Sequence, residues 1–332
     1  MIPSMKSWLL DSLTGLDALH LGEAPEPIAA AGEVVLSIQY AALNPADRYL
    51  AEGQYPARPV FPHILGRDGL GIVSAVGRGV SGIAVGEKLL LLRGAAGVNK
   101  PGTFAERVVV PVESLVRIPH GWSDRQAAGA PLTYLTAFQA LTMWPDMPAG
   151  GVVLVTGASG GVGVATVQLA KAMGYFVVGL SRDAGKQATL RQLGADLTFS
   201  PSDTGWKKSL PRKVDLAIDN IAGPGLTDVI DSLADHGRVS CVGRLAGPVP
   251  QFNTASLFFR RIRMGGVAVG AYTPAESQAA WQAVLEHLSR TGSAPQVDSI
   301  FEFEDLKAAF ARLAAGPMGK VLLAVGVKDG KK

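Results

Sequence analysis

Cysteine is almost missing from this chain: Cys241 stands alone among 332 residues. One thiol cannot close a disulfide within a chain, and a cysteine-built structural zinc site is excluded with it. Charge is sparse and balanced. Charged residues make up 18% against 48% hydrophobic, with a formal net charge of +3, a globular composition that points to neither nucleic acid nor a membrane surface. The densest basic run, Arg260-Arg261-Ile262-Arg263, reads as solvated or interface surface. No apolar stretch reaches the ~18 residues that a membrane helix needs. No signal-peptide pattern precedes Asp11, so the expectation is a cytoplasmic protein, with residues 328–332 a frayed tail. No tyrosine is followed four residues later by lysine, which removes the Tyr-x-x-x-Lys pair of short-chain dehydrogenases, and no G-x-x-x-x-G-K-[ST] occurs.

What is present falls into two patterns. Up to residue 125, short β-type runs (33–40, 71–76, 88–92 and 104–110) alternate with turn signals, as in a β-rich, barrel-like domain. Residues 127–143 then read as one buried, alanine-rich helix. A regular alternation follows: strands at 152–156, 175–180, 196–200, 214–219 and 238–242, a sixth at 264–269, and helices at 162–173, 184–193 and 226–234. Repeated β-α-β units of this length predict a doubly wound parallel sheet. Thr273-Pro274-Ala275-Glu276 is a capping box that opens a long helix. A helix at 304–315 and an apolar strand at 320–325 close the chain.

The chemistry concentrates at Gly157-Ala158-Ser159-Gly160-Gly161-Val162-Gly163, which follows an apolar strand and opens a helix. Glycines at this spacing permit a tight turn, let backbone approach a pyrophosphate, and let helix pack close on strand. The free N–H groups and positive dipole of the helix start then hold the anion. Two alternatives stay open. The turn can be a tight βα connection without a ligand. Gly157-Ala158-Ser159-Gly160-Gly161 also matches the G-x-S-x-G elbow of serine hydrolases, with Ser159 as nucleophile and Asp219, His236 or His287 formally available downstream. At the second strand's tip, about 20 residues on, stand Ser181, Arg182 and Asp183, with Lys186 nearby. A guanidinium suits the 2′-phosphate of NADP, and an acid alone would suit the hydroxyl of NAD. The cofactor expected is NADPH.

The whole chain resembles the medium-chain dehydrogenase/reductase superfamily, and within it the zinc-independent quinone oxidoreductase branch. Asn44-Pro45-Ala46-Asp47-Arg48-Tyr49 with Gly53-Gln54-Tyr55 is similar to that branch's N-P-x-D-x-Y…G-x-Y segment. Gly66-Arg67-Asp68-Gly69-Leu70-Gly71 resembles its G-x-D-x-x-G segment, Leu135-Thr136-Ala137 its L-T-A element, and Gly319-Lys320-Val321 its G-K-x-x-L end. The resemblance implies a GroES-like catalytic domain built from residues 1–125 plus 271–332, with a Rossmann domain, 126–270, inserted, and nicotinamide meeting substrate in a cleft between them. Zinc members of the superfamily place a cysteine where Asn44 stands and a histidine where Arg67 stands, so no catalytic metal is expected. The implied reaction is hydride reduction of a quinone or an α,β-unsaturated carbonyl. Tyr49 is the first choice of hydrogen-bond donor, Tyr55 the second, and Asn44 orients the site. Asp47, Thr136, Asn220, Val242, Gly243, Arg244 and Lys320 join the glycine turn, Ser181, Arg182 and Lys186 as cofactor contacts. Asp68 is expected to pair with Arg67 or Arg48, and Asp219 to cap a loop. The partners expected are a small carbonyl or quinone substrate and a second copy of the chain, paired along 264–269. An alcohol or aldehyde oxidoreductase of the same superfamily, and a cofactor-binding protein without activity, are the other readings.

Overall fold

A computed structural model describes residues 3–92, 96–247, 250 and 252–327; the tail expected at 328–332 lies outside them. The chain forms two compact units, one of residues 1–132, 272–279 and 297–332, the other of 133–271 and 280–296.

The first unit is built on the strand Glu33–Ala42, which is mostly apolar and is buried along most of its length. Gly69–Val76 runs antiparallel along one edge. A Cβ at Gly69 would lie 2.6 Å from the Tyr40 carbonyl oxygen, so only glycine allows the two backbones this close. On the other edge, Arg107–Pro111 pairs with residues 33–37 and Lys320–Ala324 with residues 40–42. Both ends of the chain therefore meet in one seven-stranded sheet, completed by Lys88–Leu91, Leu115–Arg117 and Val297–Glu302. Val297–Glu302 and Lys320–Ala324 run parallel, which requires the crossover supplied by the helix Leu306–Ala314. A second, three-stranded sheet joins Leu19–Pro25, Ser4–Leu10 and His63–Ile64. The core holds Leu36, Leu43, Leu50, Leu306 and the edge-to-face pair Phe104 and Phe310, with ring centroids 6.0 Å apart.

The second unit is the predicted α/β, doubly wound sheet. Six parallel strands stand in the order Leu197–Phe199, Phe176–Leu180, Val152–Val155, Val214–Asp219, Leu233–Cys241, Arg263–Gly266. Counted along this unit the order is 3-2-1-4-5-6, the Rossmann arrangement. All four side chains of Val152–Val155 are buried, as a strand covered by helices on both faces requires.

Several boundaries differ from the expectation. Residues 127–143 form two helices, Asp124–Ala128 and Pro131–Thr142, because Pro131 lacks the N–H that a continuous helix would use. The strand expected at 104–110 begins at Arg107; the N–H groups of Thr103 and Phe104 go instead to the carbonyls of Gly66 and Leu65. The helix expected at 226–234 stops at Ser232, and the next strand starts at Leu233. Five strands, Ser4–Leu10, Leu19–Pro25, His63–Ile64, Leu115–Arg117 and Val297–Glu302, and the helices Pro45–Ala51 and Ala255–Phe259 have no counterpart in the pattern reading. Among the described residues no helix is long and apolar enough to cross a membrane.

Candidate functional site

The Val152–Val155 strand leads through Thr156 into the turn and then into the helix Gly161–Ala172. Gly157 has φ +56°, and a Cβ there would lie 2.7 Å from Ile221 Cδ1. A Cβ at Gly163 would lie 2.3 Å from the Gly157 carbonyl oxygen, so only glycine lets the helix settle on the turn. Gly160, the N-cap, differs: the nearest atom to a Cβ is the Gly157 oxygen at 3.5 Å, an ordinary contact. Packing does not demand glycine at 160, whereas close approach of a phosphate to the first helical N–H groups does. Ser159, Gly160, Gly161 and Val162 are half-buried at this helix start. The turn therefore fits a dinucleotide.

Parallel register brings the carboxyl ends of the strands to one edge, with Val155 opposite Gly179 and Ile218, and Asp219 opposite Cys241. At the point where the strand order reverses, Thr156 Oγ1 donates to Asp219 Oδ1 at 2.6 Å. Asn220 donates twice to Thr156, from its N–H to Oγ1 at 3.0 Å and from Nδ2 to the carbonyl at 2.8 Å. Asp219 also accepts from the N–H groups of Ile221 and Ala222, and so caps the loop. Val242 and Gly243 donate to its carbonyl, and a Cβ at Gly243 would lie 2.6 Å from the Asn220 oxygen. Arg244 follows, half-buried, and Thr136 sits half-buried on the helix Pro131–Thr142 of the same unit. Thr156, the hub of this edge, was not singled out in the sequence; its only signal was its place directly after an apolar strand.

The hydrolase arrangement does not assemble. Among the described residues no histidine is hydrogen-bonded to Ser159 or Asp219; His236 is exposed at φ +60°, and the His287 ring lies 6.4 Å from that of Phe138. At the ribose position, Ser181 is buried and Arg182 exposed. Asp183 Oδ1 accepts the Lys186 N–H at 2.9 Å and caps the helix Ala184–Gln192. The acid that could read a ribose hydroxyl is thus engaged by its own helix, while Arg182 makes no hydrogen bond or ion pair among the described residues.

The first unit carries a buried charge cluster where Glu33–Ala42 runs into the helix Pro45–Ala51. Asp47 and Asp68 are 0% exposed, Lys320 5%, Asn44 6% and Arg67 8%. Arg67 Nε donates to Asp47 Oδ1 at 2.8 Å, and Asp47 Oδ2 accepts the Asn44 N–H at 2.9 Å, closing the helix cap. Lys320 Nζ reaches Asn44 Oδ1 at 2.8 Å, the Leu43 carbonyl at 3.0 Å and Asp68 Oδ2 at 3.3 Å. All three ammonium protons of Lys320 therefore have acceptors inside the protein. Asp68 Oδ1 keeps no hydrogen-bond partner, and burial pushes the Asp68 carboxyl above the ordinary range although Lys320 pulls it down.

The expected pairing of Asp68 with Arg67 or Arg48 is corrected by this geometry. Arg67 turns to Asp47, Arg48 pairs with Glu52 at 2.5 Å, and Lys320 reaches Asp68. The partner comes from a strand some 250 residues away, which only sheet pairing brings near. Gly129 makes room for it, since a Cβ there would lie 2.9 Å from Lys320 Cγ. Tyr49 and Tyr55 are half-buried in this unit, and Arg67 Cζ lies 4.8 Å from the Tyr55 ring centroid. Among the described residues no group of three His, Cys, Asp or Glu side chains converges as a metal site would.

Comparison with known proteins agrees with these two units. A family model described as an alcohol dehydrogenase GroES-like domain matches residues 30–120, and one described as a zinc-binding dehydrogenase matches 161–290. A quinone oxidoreductase of Sus scrofa is 28% identical over 304 residues, covering 90% of each chain. A solved NAD-dependent alcohol dehydrogenase superposes with TM-score 0.88 at 27% identity, covering 97% of this chain and 100% of that one. A solved quinone oxidoreductase of Pseudomonas syringae pv. tomato DC3000 superposes with TM-score 0.86 at 25% identity, covering 96% and 99%.

Proposed function

The chain belongs to the medium-chain dehydrogenase/reductase superfamily, in its quinone oxidoreductase-like branch, and from that premise we propose that it is a zinc-independent, NADPH-dependent reductase of quinones or α,β-unsaturated carbonyls. One observation carries the zinc-free part. The two carboxylates of the buried cluster already have cations, Arg67 on Asp47 and Lys320 on Asp68. A divalent ion added among Asn44, Asp47, Arg67 and Asp68 would face two fixed positive charges and no soft ligand. Carbonyl polarisation then falls to hydrogen-bond donors rather than to a Lewis acid.

Bound NADPH supplies the hydride; the chain's own groups do the rest. The glycine turn holds the pyrophosphate on backbone N–H groups from Ser159 to Val162. Ser181, Arg182 and Lys186 take the 2′-phosphate, a reading supported by the engagement of Asp183 in its helix cap. Thr136, Asn220, Val242, Gly243 and Arg244 border the nicotinamide half. Asn44, Asp47 and Lys320, closed into the cluster, act as positioning residues for the helix Pro45–Ala51 that carries Tyr49. Tyr49 donates to the oxygen on which negative charge develops, and Tyr55 is the second choice. The reading extends to a cytoplasmic homodimer paired at the edge strand Arg263–Gly266.

The test follows NADPH and NADH oxidation at 340 nm with a panel of quinones and enones, with and without chelator. Turnover that prefers NADPH and is untouched by chelator is expected. Loss on chelation would overturn the zinc-free reading, and an unchanged rate in Tyr49→Phe would remove its donor role.

A further inference from the structure

The helix Pro45–Ala51 leads through Glu52 into an exposed turn. Gly53, at φ +69°, turns the chain into the segment 53–58, and with Asn99 this segment lines a shallow, open surface depression within the first unit. Tyr55, the second-choice donor, is among its lining residues, and Tyr49 stands on the helix that leads into the segment.

Its lining is chemically one-sided. Tyr55 and Pro56 supply flat and apolar surface, and Gln54 and Asn99 supply amides. Among the described lining residues Arg58 is charged and none is a carboxylate. Arg58 spends one donor on the Ala57 carbonyl at 3.0 Å, which leaves most of its guanidinium fork for a ligand. Arg67 is not available for that purpose: it is buried, its Nε is held by Asp47 and a terminal nitrogen by the Ala46 carbonyl at 3.1 Å. Its place beside the Tyr55 ring instead steadies that ring as a platform. A flat aromatic wall with a guanidinium at one side recognises a flat ring that carries an anion.

The geometry points to an acceptor class, resting on the reductase reading above: a planar ring acceptor bearing a carboxylate or sulfonate, its ring against Tyr55 and its anion on Arg58, assisted by the Asn99 amide. Arg58 is then a specificity-determining residue, distinct from the groups that meet the reacting atoms. A neutral acceptor still fits the platform and loses the charge-assisted contact.

The experiment compares 1,4-naphthoquinone with its 2-sulfonate in wild type, Arg58→Gln and Arg58→Glu, reading the ratio of kcat/KM for the anion over the neutral quinone. The ratio is expected to fall about tenfold in Arg58→Gln, the size of one charge-assisted hydrogen bond, and further in Arg58→Glu. It is expected to shrink in wild type between low and high salt, because an exposed pair is screened. Binding of 2-naphthoate, which cannot be reduced, is measured in parallel by calorimetry. A ratio that does not move in either variant overturns the inference and leaves the reductase reading standing. Arg58-dependent naphthoate binding without quinone turnover keeps the anion site and overturns the proposed reaction. Neither binding nor turnover overturns both.

Discussion

Replacing Lys320 by methionine keeps the length of the side chain and removes its charge, so it isolates what the buried pair does. Asp68 would then be a carboxylate with 0% exposure, one oxygen already unpartnered and the other losing its ammonium. Breaking a buried pair on one side costs about 3–5 kcal/mol. Asp68 has one escape, which is to take up a proton. Measured from an unfolded-chain value of about 3.9, holding it neutral at pH 7 costs about 1.4 kcal/mol for each of roughly three units, an upper bound of about 4 kcal/mol because the wild-type carboxyl is already raised by burial. The two routes therefore overlap at about 4 kcal/mol or just below at pH 7. They separate with pH. In Lys320→Met the folded carboxyl lies above its unfolded value, so the native state binds more protons and regains stability as pH falls. At pH 5 the penalty relative to wild type should be clearly smaller. Because the chain divides into two compact units, the assay is local: amide hydrogen exchange of segments 36–43 and 69–73, read by mass spectrometry at both pH values. The double variant Lys320→Met with Asp68→Asn should recover most of the loss, since it removes the stranded charge. A penalty under about 1 kcal/mol at pH 7, or a double variant no better than the single, would refute the argument that the cation is there for Asp68.

Four other variants follow from the structure. Gly163→Ala should unfold the turn and abolish cofactor binding, because its Cβ meets a backbone carbonyl at 2.3 Å. Gly160→Ala should change thermal stability little yet raise the NADPH Kd at least about tenfold in a fluorescence titration; equal damage from both would mean that 160 is a packing position too. Arg182→Gln should raise the NADPH Kd about tenfold while leaving NADH nearly unmoved, and a parallel loss of both would remove Arg182 from the 2′-phosphate. Burial holds the His63 imidazole below its usual pKa, with the Gly97 backbone bond opposing and Arg67 adding to the shift. Above the unfolded pKa both states are neutral; below it the unfolded chain gains a proton that the folded one resists, so stability falls as pH drops through about 6.5. His63→Gln should flatten the pH 7.5-to-5.5 loss of hydrogen-exchange protection at residues 9–10, which pair with His63–Ile64; an unchanged slope would clear His63.

Local chemistry alone was enough for much of this protein. The apolar run Val152 to Val155, the glycines at 157, 160 and 163, and the strand–helix repeats behind them specify a Rossmann sheet, because period, capping and positive φ are properties of neighbouring residues. The Thr273 to Glu276 capping box formed for the same reason, with Glu276 Oε2 accepting the Thr273 N–H at 2.7 Å. Tertiary structure decided what neighbours could not. Ser4–Leu10 and Val297–Glu302 are strands because partners outside the segment, Leu19–Pro25 with His63–Ile64 and Lys320–Ala324, supply their hydrogen bonds. Arg67 and Asp68 are adjacent in sequence with opposite charges, yet each turns to another partner. In the interior a carboxylate requires a cation wherever sheet pairing delivers one, and the Leu322 to Ala42 register delivers Lys320. The distinct reasons behind Gly157, Gly160 and Gly163 likewise became visible only in three dimensions: two are needed because protein stands in the way of a Cβ, and one because it does not.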